Sequence, residues 1–487
     1  MGSGSMRAVT AGGWLMAFLL AWAAAANEPE SPPAKPAPAQ PTANRVRLDL
    51  DVRGELFAPA GRDTAPVRQP ITVEARFDFL EQPVTAGEAA ASRLYREARA
   101  VVRVDGQADE ISLPADARRL EVALRGTTPV PYLADGFLSR AEADLLDTPC
   151  DSLLLDRLLP ADPVAVGAKW TVPADAAAGM LAIDTIESGN LEVELTAVDE
   201  QLATVRLTGI VDGAADGVPT HLTIEGDCTV ATAADDGDTA TWRLVAVRVA
   251  ALTLRERRQA SHVAPGFEVE ARVAVARQPV GPGTVEESVA ATAAGPSGRR
   301  RGTGRPGLVW HTARDGGYDL VCDARWRVVE DGPTGLVLRL VDRGALAGQC
   351  SLTMLPRSDA LAPPTIAEVQ RDIERSLAGQ FGRFESAAEA TRSDGVRIVR
   401  VVSEGTAENL PFRWIHHVLT DAHGRRAAAT FMLQASAVPR FAAADRELVD
   451  GLAFPEISAP SPAQPATPAS DASADRQARL PRETVTP

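Results

Sequence analysis

The chain has 487 residues, of which 45% are hydrophobic, and a formal net charge of −15. That length allows two or three domains with cores of their own. The acidic balance disfavours a nucleic-acid partner, because neutralising phosphates requires a positive surface.

The N-terminal segment has the pattern of an export signal. Arg7 provides a positive charge, residues 14–22 are apolar, and residues 24–26 are the small alanines that precede a cleavage site. We expect cleavage before Asn27. Retention of the segment as an anchor is the alternative, although a membrane span needs roughly 20 apolar residues. The signal predicts an exported protein of the periplasmic or cell-envelope space.

Composition separates linkers and tails from two ordered blocks in the rest of the chain. Segments rich in Pro, Ala, Ser and Gly are typical of linkers and disordered tails. The predicted organisation is a signal peptide at 1–26, a disordered Pro/Ala leader at 27–43, a β-rich curved-sheet domain at 44–280, a flexible basic linker at 281–306, an α+β domain at 307–455 and a disordered tail at 456–487.

The first block is rich in alternating patterns. Val46, Leu48 and Leu50 alternate with charged residues, which is the period of a half-buried strand. The sequence from Ser139 to Glu142 has the spacing of a helix capping box. Long antiparallel strands with few helices predict one large curved sheet, resembling a half-barrel. Further strands are predicted at 72–79, 98–104, 191–198, 204–210, 220–230, 239–254 and 268–276, with a hairpin turn at 235–238.

The second block mixes strands with two helices. Thr365 and Glu368 have capping-box spacing before an apolar stripe that extends to Phe381. A final helix is predicted at about 439–452. The pattern predicts an antiparallel sheet with helices packed on it, so the whole chain belongs to the α+β class. Strands are predicted at 308–312, 318–323, 326–330, 336–342, 349–355, 396–404, 412–421 and 427–435.

The four cysteines permit disulfides in an exported chain. Pairing within each block gives Cys150–Cys228 and Cys322–Cys350. The alternative is buried free thiols, which pack as small hydrophobic groups. No C-x-x-C sequence occurs, so neither a thioredoxin-like site nor a zinc ribbon is predicted.

Other motifs give little support for catalysis. Glycines 302, 304 and 307 match the letters of a dinucleotide fingerprint, but a basic linker precedes them and a predicted strand follows. His416 and His417 are adjacent on a predicted strand, so they point to opposite faces, and His423 lies in a turn. We interpret these histidines as one packed, one on the surface and one in a turn. A metal or acid–base site is the alternative.

Several segments resemble uncharacterised exported proteins of planctomycete bacteria. These segments are residues 158–170, 323–328, 338–344 and 445–449, together with Phe441. The order of elements in the second block resembles the PsbP/Mog1-like α+β fold, and the first block is similar in kind to the curved-sheet carriers of the LolA type. The resemblance implies no known activity and no functional residues.

We therefore expect an exported, non-enzymatic binding or carrier protein with no catalytic, cofactor or metal residues. Its partner would be an apolar small molecule or an envelope protein, with no stable membrane span after cleavage. Such a carrier requires an apolar concavity in the sheet of residues 44–280 that the protein's own side chains leave unfilled. The first alternative, an assembly protein, predicts a filled sheet and an exposed apolar patch in 307–455. A hydrolase of unrecognised type is the second alternative.

Overall fold

Antiparallel strands build most of the computed structural model. The structure describes residues 43–58, 67–84, 87–234, 241–259, 265–281, 302–314, 316–333, 335–357 and 364–455. The predicted signal peptide, the tail, the turn at 235–238 and all but the end residues of the leader and linker lie outside the described residues. The described residues lie mainly in the two predicted blocks.

Twelve strands of the described chain form one open antiparallel sheet in the first block. Its order is β6-β5-β3-β2-β1-β13-β12-β11-β10-β9-β8, with β4 beside β3, while β7 belongs to a smaller sheet. The elements of this block are β1 (Asn44–Ala58), β2 (Val67–Pro83), β3 (Ala89–Val104), β4 (Gln107–Ser112), β5 (Arg119–Arg125), β6 (Thr128–Tyr132), β7 (Leu138–Ser139), α1 (Arg140–Leu146), β8 (Lys169–Thr171), α2 (Ala174–Leu181), β9 (Thr185–Asp199), β10 (Leu202–Ala215), β11 (Val218–Ala234), β12 (Trp242–Arg258) and β13 (Gly266–Pro279).

The alternation in sequence sets the two faces of this sheet. Val46, Leu48 and Leu50 are at most 3% exposed, and they contribute to one continuous hydrophobic core. The intervening charged side chains point outward, where Arg76 pairs with Asp49 at 3.2 Å. Exposed pairs of this kind add little stability, so burial of the inner face holds the sheet together.

The apolar face is covered by the chain itself. Residues 133–183, which we call the covering segment, contribute side chains to the same core. Leu145 and Leu155 are fully buried. The backbone N–H of Val247 on β12 donates to the Asp156 carboxylate at 2.9 Å. The apolar face that we expected to be free for a ligand is therefore occupied by the covering segment.

A buried ion pair fastens the covering segment to the sheet. Arg93 of β3 donates to both carboxylate oxygens of Asp151, at 2.6 and 2.8 Å. Arg93 also donates to Glu81 of β2 at 2.9 Å, and its guanidinium lies 4.9 Å from the centre of the Phe79 ring. The Arg93 side chain is only 3% exposed, so loss of this cation would leave two buried carboxylates unpaired.

The second block contains a seven-stranded antiparallel sheet of order β16-β17-β18-β22-β21-β20-β19 in the described chain. A second sheet, of order β23-β15-β14-β7, contains four strands of the described chain. The elements are β14 (Leu308–Thr312), β15 (Asp319–Asp323), β16 (Trp326–Gly332), β17 (Gly335–Asp342), β18 (Ala345–Leu355), α3 (Ile366–Leu377), β19 (Phe381–Thr391), β20 (Arg397–Ala407), β21 (Leu410–Thr420), β22 (Arg426–Gln434), α4 (Val438–Phe441), α5 (Ala444–Asp450) and β23 (Leu452–Ala453).

The two helical regions of the second block pack on opposite faces of the seven-stranded sheet. Val399 and Val401 of β20 form a small core with α3, whereas Val402, one position on, belongs to the core of α5. The predicted capping box of Thr365 and Glu368 is present. The helix ends at Leu377 rather than continuing to Phe381, where the unpredicted edge strand β19 begins.

The final helix also differs from expectation. It is divided into α4 and α5 at Ala442, whose φ of 49° takes the backbone out of the helical region. The capping box at Ser139 forms as predicted. The strand-rich α+β class, with a large antiparallel sheet followed by a sheet with helices, is confirmed.

The two blocks are joined by shared structure. Strand β7 of the first block pairs in parallel with β14 of the second, and Arg140 donates to the backbone oxygen of Ala324 at 2.6 Å. The described residues from Ala43 to Phe454 group as one compact unit. The described helices include none with the length and apolar character to cross a membrane.

Candidate functional site

The cysteines are the first predicted site residues. All four are free and buried in the structure. Burial raises the pKa of Cys228 and of Cys322 to about 12, and it raises those of Cys150 and Cys350 as well. The thiols of Cys150 and Cys228 interact electrostatically, as do those of Cys322 and Cys350. The predicted members thus lie near one another, and the disulfides themselves stay a prediction.

The histidines of β21 occupy opposite faces of the seven-stranded sheet. His417 is 3% exposed, and its Nε2 lies 2.8 Å from the carboxylate of Asp445 on α5. His416 points to the face that carries α3, and His423 lies in the turn after β21. No group of three or more His, Cys, Asp or Glu in the described chain is arranged to hold a metal.

His417 takes part in a structural network. Asp445 also accepts a hydrogen bond from Arg400 at 2.8 Å. Burial alone would raise the pKa of Asp445, but the hydrogen bonds from His417 and Arg400 outweigh it, so the pKa is lowered. Burial lowers the pKa of His417, and Asp445 only partly opposes that effect. This network anchors α5 to the sheet through the buried side chains of His417 and Asp445.

A concave groove lies beside α3 on the other face. Helix α3 packs on β19 and β20 and leaves the surface of β18, β22 and β21 partly uncovered. The resulting space, which we call the α3 groove, has a volume of about 530 Å³. Ligand pockets commonly measure about 300–1,000 Å³. Its α3 wall consists of Val369, Asp372, Ile373, Ser376 and Leu377.

The strand register arranges the floor of the α3 groove in transverse rows. Ser351 lies opposite Thr430, which lies opposite His416, so three uncharged polar side chains form one row. The row on one side contains Gln349, Met432 and Trp414. The row on the other side contains Ala428 beside Val418. A polar row therefore crosses a largely apolar floor.

His416 is the chemically distinctive residue of this row. Its Nδ1 lies 3.2 Å from Oγ1 of Thr430. Its Nε2 is buried and has no hydrogen-bond partner. Burial, assisted by the neighbouring His417, lowers the pKa of His416 to about 4. The imidazole is therefore neutral at physiological pH, with one ring nitrogen whose hydrogen-bonding capacity is unused.

Two charged side chains line the α3 groove. Arg426 donates through Nε and Nη2 to the backbone oxygen of Pro356, at 3.0 and 2.8 Å. Asp372 on the helix wall accepts from Arg375 at 3.1 Å. The groove thus combines apolar surface with neutral hydrogen-bonding groups and the cation of Arg426, whose hydrogen-bond partner is the neutral backbone oxygen of Pro356.

A second cluster of titratable groups lies at the junction of the two blocks. Arg327 of β16 pairs with Asp216 at 3.0 Å, and Arg258 of β12 approaches the same carboxylate at 3.5 Å. Arg140 pairs with Asp144 at 2.8 Å. Burial raises the pKa values of Asp144 and Asp216. We call these five residues the junction cluster.

The junction cluster has a structural explanation. Asp216 and Gly217 form the two-residue turn between β10 and β11, with φ values of 54° and 73°, and an Asp-Gly pair is well suited to such a turn. Asp184 lies beside it, and burial raises its pKa as well. The cluster joins the two sheets through the pair of Arg327 and Asp216.

The sequence pattern identified His416 as a candidate residue, but it did not identify the residues that lie beside His416 in the groove. Ser351, Thr430 and Met432 carry no motif, and they meet His416 only through the pairing of β18, β22 and β21. Alternation along each strand could have placed their side chains on one face. It could not have said which strands become neighbours.

No family model matches the chain, and no curated protein matches it. A lipovitellin structure is similar over 55% of this chain and 27% of that chain, with 6% identity and a TM-score of 0.26. This chain thus spans about a quarter of the lipovitellin chain.

Two Pseudomonas aeruginosa proteins, OccK5 and OccK2, give further matches. OccK5 is 9% identical over 80% of this chain and 96% of that chain, with a TM-score of 0.12. OccK2, in complex with glucuronate, is 8% identical over 82% of this chain and all of that chain, with a TM-score of 0.14. At these TM-scores the lipovitellin, OccK5 and OccK2 matches carry no argument about fold or function.

Proposed function

We propose that this protein is an exported binding protein of the cell envelope that holds a small, largely apolar molecule in the α3 groove. The observation that carries the proposal is the 530 Å³ concavity with its largely apolar floor. The other large apolar face, on the twelve-stranded sheet, is occupied by the covering segment. The export signal predicted at residues 1–26 supports the envelope location.

Binding of the neutral fluorophore Nile red tests this proposal. We expect the full chain to bind it and to increase its fluorescence. The variant Ala428→Phe places a ring on the groove floor and should weaken binding at least tenfold. Ala251→Phe is the matched control, because Ala251 is exposed on the outer face of the twelve-stranded sheet. Equal loss in both variants, or no loss in either, would exclude the α3 groove as the binding site.

An envelope assembly protein is the second candidate. One observation favours it: the twelve-stranded sheet is filled, and the second block carries partly exposed apolar side chains such as Met432. A protein partner covering the groove would also be blocked by Ala428→Phe. The two candidates differ in the behaviour of the isolated chain, because only the first predicts saturable binding of a small neutral probe at one site per molecule.

A further inference from the structure

Arg426 differs from the other arginines on the strands around the α3 groove. Strands β20, β21 and β22 carry four arginines, and three of them pair with a carboxylate. The partner of Arg426 in the described chain is instead the uncharged backbone oxygen of Pro356. The groove therefore contains a cation without a carboxylate partner among the described residues. The three pairs are Arg397–Glu389, Arg400–Asp445 and Arg413–Glu385.

The hydrogen bonds to Pro356 orient the guanidinium of Arg426 and leave one end of it free. A guanidinium has five N–H donors in a planar fork. Nε and Nη2 of Arg426 each donate to the oxygen of Pro356. The remaining N–H groups, on Nη1 and Nη2, form the end of the fork that can bind both oxygens of a carboxylate. Nη1 is not among the buried polar atoms of the described chain that lack a partner, so solvent reaches it.

We infer that the molecule held in the α3 groove is an amphiphile with one carboxylate, which pairs with Arg426, and an apolar body that extends along β22 towards Met432. The inference rests on the proposed function, and it specifies the chemical class of the ligand: a monoanionic carboxylic acid with a hydrophobic body. Arg426 selects this ligand by charge, and the apolar rows of the floor hold its body.

The strand register places the cation at one end of the groove floor. Arg426 lies opposite Leu355, and the next row on this face contains Ala428 and Val418. Met432 lies six residues from Arg426 on the same strand, which is about 20 Å at the rise of a β-strand. A cation at one end of a largely apolar floor matches a molecule whose charge is at one end of its apolar body.

The other polar groups of the groove set the charge of the ligand. Ser351 and Thr430 are uncharged, and His416 is neutral at physiological pH because its pKa is lowered. Asp372 brings a negative charge to the helix wall, but its side chain is 73% exposed and pairs with Arg375, so solvent and Arg375 screen it. A ligand with two negative charges would have one cation for both, and therefore a monoanion fits best.

Three amphiphiles with the same ten-carbon chain test the inference on the full chain at pH 7. The probes are the anion decanoate, the neutral 1-decanol and the cation decylammonium, each measured by displacement of Nile red below its micelle concentration. We expect decanoate to bind about tenfold more tightly than decylammonium, because Arg426 attracts the first and repels the second. Equal affinity of the two ions, or tighter binding of decylammonium, overturns the inference.

Substitution of Arg426 locates the effect. Arg426→Gln should weaken decanoate binding about fivefold, which corresponds to about 1 kcal/mol, and should leave 1-decanol binding unchanged. Arg426→Lys keeps the positive charge without the planar fork and should retain part of the affinity for decanoate. Arg272→Gln is the matched control, because it changes the net charge equally on the twelve-stranded sheet, where the Arg272 side chain is 74% exposed. Equal losses for decanoate in Arg426→Gln and Arg272→Gln contradict the assignment to Arg426.

Ionic strength gives a second readout that a purely structural role of Arg426 would not change. Between 20 and 500 mM NaCl, the affinity of the wild type for decanoate relative to 1-decanol should fall towards that of Arg426→Gln, because salt screens the pair. A ratio independent of salt contradicts the inference. The proposed function fails in a different way: neither Nile red nor 1-decanol binds, or Ala428→Phe has no effect. Binding of all three amphiphiles with equal affinity leaves the groove as the site and removes only the carboxylate.

Discussion

The twelve-stranded sheet is covered on its apolar face by residues 133–183 of its own chain, whereas the seven-stranded sheet leaves part of one face open beside α3. The covered face is lined by apolar side chains with almost no exposure, and its ion pair at Arg93 is buried. The open face carries more polar side chains, among them Ser351, Thr430 and His416. The size of a sheet therefore does not predict whether its apolar face is free to bind. That depends on which other segments of the chain pack against the face.

Removal of Arg93, the cation that binds the covering segment to the sheet, should have the largest effect on the free energy of unfolding. In Arg93→Ala the buried carboxylates of Glu81 and Asp151 lose their partner. Breaking a buried pair in this way costs about 3–5 kcal/mol. Urea unfolding should show that loss in the free energy of unfolding. The control is Arg99→Ala on the same strand, whose pair with Glu97 is exposed and should cost less than about 1 kcal/mol.

Similar losses in the free energy of unfolding for Arg93→Ala and Arg99→Ala would mean that the Arg93 ion pair does not hold the covering segment on the sheet. A gain in Nile red binding by Arg93→Ala alone would further indicate that the covered face has become accessible. The Arg93 side chain alone would then control access to the apolar face of the twelve-stranded sheet.

Truncation of apolar side chains measures the same difference in packing. Leu155 of the covering segment is fully buried, whereas Met432 on the groove floor is 36% exposed. Leu155→Ala should lower the free energy of unfolding by about 2–5 kcal/mol through lost burial and a new cavity. Met432→Ala should cost less than about 1 kcal/mol, because solvent already reaches that side chain.

The measurement is again urea unfolding, with the m-value checked for a change in the unfolded state. Similar losses for Leu155→Ala and Met432→Ala would mean that the groove is closed in solution. In that case the difference between the two sheets would disappear, and the proposed binding site with it.

The junction between the two blocks should give the smallest effect, visible in pH dependence. Because the pKa of Asp216 is raised on folding, the native state holds a proton that the unfolded state releases. Stability then increases as the pH falls from about 8 towards about 6, by at most about 1.4 kcal/mol per pH unit for one proton. In Asp216→Asn this contribution is lost, so the dependence should be shallower.

The difference between wild type and Asp216→Asn is the quantity to measure, because buried histidines with lowered pKa values act in the opposite direction and cancel in the difference. Asp227→Asn, at an exposed position of the same hairpin, serves as the control. A pH dependence identical in wild type and Asp216→Asn would mean that Asp216 is ionised in the folded state. The junction would then be held by charge pairs alone.

Local patterns predicted local structure well. The two capping boxes, at Ser139 and at Thr365, form as expected, because the hydrogen bonds of a capping box lie within four residues. Strand β14 spans Leu308–Thr312, as its alternation predicted. Edge strand β19 was missed because nearly all its side chains are exposed, so it has no alternation between buried and solvent positions.

The sequence by itself determined the strand-rich α+β class, the long antiparallel strands and the opposite orientations of His416 and His417, since all three depend on patterns between near neighbours in the chain. Only the tertiary structure decided that residues 133–183 fill the larger sheet and that β18, β22 and β21 become neighbours. These outcomes depend on which distant segments bury each other's apolar surface. Hydrophobic burial is non-directional and specifies no partner in the local sequence.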